Sequence, residues 1–220
     1  MVYSPDGSML ATTGPDGSIK VWNANSGDLV RTFREREHFN GLAFSADSKE
    51  IGAVNEDKTV KLFDIASGKK RGETPELFDY MENVAFSPNG KLLVVAGRSK
   101  ICLLDRITLK AVRTIAALLY GSVEFAFTND SQMLVVCSGD VTLYSVQDGA
   151  LLRTIHNLKT EHVSRDDLLY NSAETIAFSP DGRRIACSIR VTEQVADATQ
   201  PNGFKHKDHS EVKIWNIERD

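Results

Sequence analysis

Short apolar stretches alternate with clusters of turn-forming residues along the whole chain. The first 33 residues contain "SMLATT", "SIKVWN" and "LVRTF", separated by "GPDG" and "ANSGD". β-branched and aromatic residues favour strands, whereas Gly, Pro, Asp and Asn favour tight turns. Helical periodicity is nearly absent, so the pattern predicts an all-β protein made of short antiparallel strands.

The same pattern returns with a period near 40 residues. The opening "VYSPDGSMLATT" is followed by "AFSADSKEIGAV", "AFSPNGKLLVVA", "AFTNDSQMLVVC" and "AFSPDGRRIACS". Their aromatic residues are spaced by 41, 42, 41 and 51 positions and are Tyr3, Phe44, Phe86, Phe127 and Phe178. A second anchor lies in the third strand of each unit, at Trp22, Phe63, Leu104, Tyr144 and Trp215. Such a period indicates a repeat architecture.

Each repeat is predicted to form a four-stranded antiparallel sheet. The units span approximately residues 2–33, 41–72, 83–115, 123–155 and 175–219, and the last has three strands only. One such sheet cannot bury both of its faces, whereas sheets stacked around an axis can. The predicted fold is a β-propeller with five repeat units and an incomplete last blade, forming a single domain over residues 1–220.

The repeats resemble the WD repeat in "FSPDG", in "GSIKVWN" and "SEVKIWN", and in the turn glycine Gly27. The resemblance covers nearly all of residues 2–219 and implies a propeller that holds protein partners. It is incomplete, because no unit has the family's Gly-His pair and Asn replaces Asp after both Trp residues. The family's bracing His–Asp–Ser–Trp network is therefore not expected, and only its Asp position is occupied, by Asp16, Asp57 and Asp140.

The two ends of the repeat array leave three alternatives open. The chain begins inside a first strand and ends after "VKIWNIERD", which is a third strand. We favour a fragment of a longer propeller, such as a seven-bladed ring. A closed five-bladed ring and an arc completed by a second chain or a partner are the alternatives. An open arc would expose the sheet edge at Trp215–Ile217 and the outer faces of the first and fifth blades.

Composition and charge narrow the class of partner. Apolar residues make up 41% of the chain and the formal net charge is −4. The chain therefore lacks the surplus of basic residues that binds nucleic acid or an anionic membrane. Protein or peptide partners are expected instead. Cys102, Cys137 and Cys187 form no CxxC pair and lie in strand-like stretches. They are interpreted as buried free thiols, which favours a cytoplasmic protein.

Two insertions interrupt the regular spacing, at residues 156–174 and 191–211. The first lengthens the connection between the fourth and fifth units. The second replaces the tight turn between the second and third strands of the last unit. The resemblance implies that both connections open on the same rim. Long loops on a rigid scaffold either bind partners or are disordered, and both interpretations stay open.

Aromatic and basic residues in the predicted loops are the candidate partner-binding residues. Tyr and Arg are frequent at interface hot spots, and Arg also binds acidic or phosphorylated peptides. The alternative is that the aromatic rings fasten loops to their own blade and that mixed charges form a solvated surface. The candidates are Arg34, Phe78, Tyr80, Arg98, Tyr120, Arg165, Tyr170, Phe204 and Lys205.

A metal site has only weak support. "HKDH" places His206 and His209 three residues apart, and His156 or His162 would have to join them as ligands for zinc. All five histidines fall in predicted loops, where no strand or helix fixes their spacing. Neither a metal nor another cofactor is therefore expected.

The chain contains no nucleophile elbow, phosphate-binding loop, dinucleotide fingerprint or HExxH motif. The innermost strands, such as "LAFS" and "VAFS", are apolar and carry only small hydroxyl groups. A non-catalytic scaffold for protein partners is the preferred interpretation. The alternative is a propeller enzyme of hydrolase, lyase or dehydrogenase type, or a ligand-sensing propeller, with a site in the central channel.

Overall fold

The computed structural model describes residues 1–77, 81–97, 99–117, 123–138, 140–157, 172–179, 181–196 and 204–217. Within strands, only the backbone is described for residues 140, 155–157, 172–174, 189–196 and 204–209. Nineteen strands in these ranges form five antiparallel sheets, which confirms the predicted all-β fold of repeated blades. Two compact units result, one within residues 1–119 and one within residues 120–220.

The first unit contains three four-stranded blades. Blade 1 consists of β1 (Val2–Tyr3), β2 (Met9–Thr13), β3 (Ser18–Asn23) and β4 (Leu29–Arg34). Blade 2 consists of β5 (Phe39–Phe44), β6 (Glu50–Asn55), β7 (Val60–Asp64) and β8 (Lys69–Glu73). Blade 3 consists of β9 (Val84–Phe86), β10 (Leu92–Ala96), β11 (Lys100–Asp105) and β12 (Ala111–Ala116).

The second unit contains one four-stranded and one three-stranded blade. Blade 4 consists of β13 (Glu124–Phe127), β14 (Met133–Ser138), β15 (Asp140–Ser145) and β16 (Leu151–Asn157). Blade 5 consists of β17 (Ser172–Phe178), β18 (Arg184–Ala196) and β19 (Phe204–Asn216). In the described part of the chain, no helix is long and apolar enough to cross a membrane.

Neighbouring blades within each unit pack face to face, because side chains alternate between the two faces of a strand. Ala11 and Val21 of blade 1 share a buried cluster with Phe44, Ile51 and Phe63 of blade 2. Equivalent strand positions form a buried cluster between blades 2 and 3 and another between blades 4 and 5. In blades 2, 3 and 5 the anchor residues of the repeat therefore form the face that packs on the preceding blade of the same unit.

The turns between the first and second strands form a lower rim in each unit, at residues 4–8, 45–49 and 87–91 in the first unit and at residues 128–132 and 179–183 in the second. Each turn begins with a Ser or Thr hydroxyl that donates to an Asp or Asn side chain two residues later, at 2.5–2.8 Å. The same side-chain oxygen accepts a backbone N–H further along the turn. These local bonds fix the turn without help from the core.

Charged contacts tie blade 2 to blade 3 near the lower rim. The buried Glu50 accepts from Arg106 Nε at 2.8 Å and from Arg71 at 3.1 Å. Arg106 also donates to Asp47 at 3.1 Å. Partial burial raises the pKa of Asp47, but hydrogen bonds from Ser45, the Lys49 backbone and Arg106 outweigh it and lower the pKa to about 2.

We expect Asp47→Asn to reduce the loss of unfolding free energy that the wild-type protein shows as the pH falls from about 4 to about 2. A carboxylate with a lowered pKa stabilises the folded state above its unfolded pKa of about 4, and this contribution disappears as the pH falls toward about 2. Asn89 occupies the equivalent turn position in blade 3 and makes the same turn bonds, so the variant should fold. Urea midpoints measured across this pH range test the prediction, and parallel curves for wild type and variant would contradict it.

Residues 191–196 and 204–211 lie on strands and not in the loop that the sequence analysis predicted, whereas residues 197–203 lie outside the described residues. β18 and β19 stay paired in register from Arg184 with Asn216 to Ala196 with Phe204. The insertion is therefore an extension of a two-stranded hairpin. Residues 191–196, "VTEQVA", are rich in β-branched side chains, which explains why the strand continues beyond the normal blade length.

Candidate functional site

The upper rim of the first unit is formed by turns 14–17 and 55–59 together with connections 35–38 and 74–77. The Glu35 backbone N–H donates to Gly17 O at 3.1 Å, and the Glu56 N–H donates to His38 O at 3.2 Å. Connection 35–38 therefore lies between the two turns. This confirms, for blades 1 and 2, that the second-to-third and fourth-to-first connections open on the same rim.

A buried lysine supports this rim from below. Lys61 on β7 is only 3% exposed, and its ammonium group contacts the Asp57 carboxylate and lies 3.5 Å from Glu35 Oε2. Glu35 also pairs with Lys70 at 3.3 Å, and Lys70 pairs with Glu73 at 2.7 Å. These five residues, called the Lys61 network below, connect the last connection of blade 1 to two strands of blade 2.

Two members of the Lys61 network, Asp57 and Lys70, have pKa values shifted toward their charged forms. Burial raises the pKa of Asp57, but hydrogen bonds from Lys61 and Thr59 outweigh it and lower the pKa below its usual value. The hydrogen bond to Glu73 raises the pKa of Lys70, with a further contribution from Glu35.

Exposed charges of both signs lie above this base. The Arg34 side chain is 65% exposed and pairs with Asp16 at 3.3 Å. Arg36 and Glu37 are exposed on connection 35–38. Exposed pairs of this kind contribute little to stability and exchange partners easily. The upper rim thus presents exposed charged groups above the ion pairs of the Lys61 network.

Blade 1 retains one link of the bracing network that was expected to be absent. Trp22 Nε1 donates to Thr12 Oγ1 at 3.0 Å. Asp16, at the position of the network's Asp, accepts instead from the Ser18 hydroxyl. In blade 2 the Trp is replaced by Phe63, and the Lys61 network occupies the same side of the blade. The side chain of Asp140 lies outside the described part of the structure.

An open cleft of about 340 Å³ lies on the face of blade 1 that points away from blade 2, and Tyr3 at its margin is 63% exposed. The equivalent residue of blade 2, Phe44, is buried against blade 1. The cleft has no charged lining group, so it is a sheet-packing face rather than a catalytic centre. Its lining residues are Tyr3, Leu10, Thr12, Trp22, Asn23, Ala24 and Gly27.

The structure places three of the nine predicted partner-binding residues. Arg34 lies on the upper rim, where its ion pair with Asp16 is exposed. Phe204 and Lys205 lie on β19 and not in a loop, because the hairpin of blade 5 extends through them. Their role in binding stays a prediction. The other six lie outside the described residues, namely Phe78, Tyr80, Arg98, Tyr120, Arg165 and Tyr170.

The prediction that all histidines lie in loops is wrong. His206 and His209 are on β19 and His156 is on β16, whereas His162 lies outside the described residues. The side chains of His206 and His209 lie outside the described part of the structure. No cluster of three or more potential ligands was found among the residues that the structure describes.

The sequence analysis missed Lys61 and the carboxylates around it. Lys20, Lys61 and Lys213 recur at the same position of the third strand, in "IKVW", "VKLF" and "VKIW". The recurrence of lysine at one position of an otherwise apolar strand was the feature of the sequence that could have drawn attention to Lys61. Recurrence alone does not indicate burial, because Lys20 and Lys213 are half-buried and only Lys61 is fully buried.

Comparison with known proteins supports the family. The model of the WD domain, G-beta repeat, matches residues 1–23. Periodic tryptophan protein 2 of Arabidopsis thaliana is 30% identical over 199 residues, which are 86% of this chain and 20% of that protein. This chain belongs to the WD-repeat family. The Protein LST8 homolog of Drosophila pseudoobscura is 26% identical over 64% of the chain and 48% of its own length.

The WD-repeat chain also resembles a solved structure. Hydrazine synthase of Kuenenia stuttgartiensis superposes with a TM-score of 0.73 at 20% identity, over 99% of this chain and 65% of that one. A likeness at this identity concerns the fold alone. The chain spans about a fifth to a half of the length of the two relatives named above.

Proposed function

We propose that this WD-repeat chain is a non-catalytic interaction scaffold that presents its upper rim to protein or peptide partners. The observation that supports it best is the exposed Arg34 and Arg36 on a connection anchored by the buried Lys61 network. A rigid base lowers the entropy that a binding loop loses on association. Arginine can exchange its intramolecular carboxylate for one on a partner.

The proposal extends to the chain as a whole. The five blades act as one domain, in the cytoplasm, and acidic or phosphorylated segments are the partners that Arg34 and Arg36 suit best. The remaining predicted partner-binding residues on the connections of the other blades would widen the same surface. No metal or other cofactor is part of this function.

A charge-reversal experiment tests the use of the upper rim. We expect Arg34→Glu with Arg36→Glu to reduce recovery of specific partners about tenfold or more, as loss of hot-spot arginines does. The readout is affinity purification of the tagged full chain with quantitative mass spectrometry. The matched control is Lys49→Glu with Lys91→Glu, which makes the same change of charge on the exposed lower rim.

The lower-rim variant shows whether a loss of partners depends on the position of the charge change or on the change of net charge alone. Partners lost by the upper-rim variant and kept by the lower-rim variant would support the proposal. Equal recovery by both variants would contradict it. Thermal melts of both variants should match wild type, because exposed charges contribute little to stability.

A further inference from the structure

We infer that Cys137 and Cys187 are a modification site, at which a peroxide oxidises the two thiols to a reversible disulfide between blades 4 and 5. Cys137 lies on β14 and Cys187 on β18, 50 residues apart in sequence. Their sulfur atoms are 3.2 Å apart, and both residues are buried, at 0% and 1% exposure. This inference is independent of the proposed scaffold function.

The strand registers explain why the two sulfur atoms meet. Cys137 lies opposite Val141 on the face of blade 4 that packs on blade 5. Cys187 lies opposite Ile176 on the facing side of blade 5. The surrounding cluster is otherwise apolar, with Val135, Leu143 and Ile185 among its members. The charged residues nearest in register are Glu124, which lies opposite Cys137 on β13, and Lys213, which lies opposite Cys187 on β19.

The contact makes the two thiols chemically unequal. Either sulfur can donate in this contact, which lowers the pKa of Cys187 and outweighs the opposing effect of burial. The same contact, together with burial, raises the pKa of Cys137. Cys187 is consequently the attacking sulfur, since the thiolate is the nucleophilic form, and Cys137 is the resolving thiol.

The oxidation has a simple balance with hydrogen peroxide as oxidant. The Cys187 thiolate attacks one peroxide oxygen, the O–O bond breaks, and the departing hydroxide takes a proton to give water and a sulfenic acid. Cys137 then loses its proton, its sulfur attacks that of Cys187, and the S–O bond breaks to release a second water. Two thiols and one peroxide thus yield one disulfide and two waters, and a dithiol reductant reverses the change.

The packing also predicts when the reaction occurs. Bonded sulfur atoms lie about 2.05 Å apart, so the two strands must approach by roughly 1 Å. Because both sulfur atoms are buried, peroxide reaches them only when blade 5 separates transiently from blade 4. The outer face of blade 5 exposes Val212 and Ile214 at 70% and 64%, so one side of this blade is uncovered. The disulfide would fasten it to blade 4.

The test uses the reduced full chain, treated with hydrogen peroxide in buffer with and without low urea. A non-reducing tryptic digest should contain residues 185–190 linked to residues 114–153, two hydrogen masses below the sum of the free peptides. Cys102, whose sulfur lies near the Thr114 hydroxyl, is the internal control, and residues 101–106 should stay unlinked. Low urea should accelerate the link, and the oxidised chain should melt several degrees higher than the reduced chain.

Three results would overturn the inference. The first is that Cys137 and Cys187 can still each be alkylated after peroxide treatment in low urea. The second is that a non-reducing gel shows a disulfide only between two chains. The third is that Cys102 forms a disulfide to the same extent. Cys187→Ser should abolish the linked peptide, whereas Cys102→Ser should leave it unchanged. The decisive mass measurement is made on the wild-type chain, so it does not depend on the folding of any variant.

Discussion

Neutralising both carboxylates around Lys61, by Glu35→Gln with Asp57→Asn, is expected to lower the free energy of unfolding by about 3–5 kcal/mol. Lys61 is 3% exposed, and Glu35 and Asp57 are its two ion-pair partners in the described residues. A buried ammonium group without a counter-charge loses its hydration and gains no Coulomb attraction in return. The amides preserve shape, so packing changes little. Urea unfolding monitored by tryptophan fluorescence measures the loss.

Adding Lys61→Met to the same double variant is the matched control. An apolar side chain of similar length removes the uncompensated charge, so most of the lost stability should return. The single variants should each cost less, because one carboxylate remains near the ammonium group. A double variant within about 1 kcal/mol of wild type, the range of exposed pairs, would contradict the burial argument.

Gly41→Ala is expected to destabilise the junction of blades 2 and 3 by about 2–3 kcal/mol. A Cβ atom at this position would clash with Glu82 O and lie 3.0 Å from Asn83 Cα. These are backbone atoms, held close by the hydrogen bond from Asn40 Nδ2 to Met81 O at 3.0 Å. Relief of the clash therefore requires one blade to move away from the other. Urea unfolding with the same optical signal measures the effect.

Gly27→Ala separates this clash from ordinary glycine strain. Gly27 has a φ of +76°, and a Cβ atom added there would meet no atom within 4 Å. Its replacement by alanine should lower the free energy of unfolding by only about 1 kcal/mol, because alanine disfavours the left-handed backbone conformation. A Gly41→Ala variant no less stable than Gly27→Ala would contradict the close approach of the two backbones.

Much of the fold could be predicted because its signals are local. The turn bonds of Ser4 with Asp6 and of Ser45 with Asp47 involve residues two apart, so each turn is specified by its own few residues. The β-branched and aromatic strands between turns pair with the next strand along the chain. Neither step needs information from a distant segment, and the predicted blades were confirmed.

The extended strands of blade 5 were predicted wrongly because the residues of a strand do not specify where it ends as clearly as turn residues specify a turn. Residues 191–196 and 204–209 read as an insertion against a repeat period near 40. Each strand continues because its partner continues in register, from Arg190 with Ser210 to Ala196 with Phe204. That pairing is a property of two segments together, and it moved Phe204, Lys205, His206 and His209 from a loop to a strand.

The candidate site depended even more on tertiary structure. Arg34 was identified from residue type, and the family resemblance indicated which connections share a rim. The importance of Lys61 could not be inferred, because its burial results from the connection of the preceding blade lying over it. The pair of Cys137 and Cys187 is similar, since two residues 50 apart meet only when two blades pack.

The sequence by itself determined the turns, the repeat and all strands except the extended pair of blade 5, because hydrogen bonds within turns and between neighbouring strands act at short range along the chain. The tertiary structure alone decided which polar groups are buried, which charges are paired across blades and which thiols touch. Those properties arise where the face of one blade meets the next, and their free energy depends on removal of water by residues about 40 positions away.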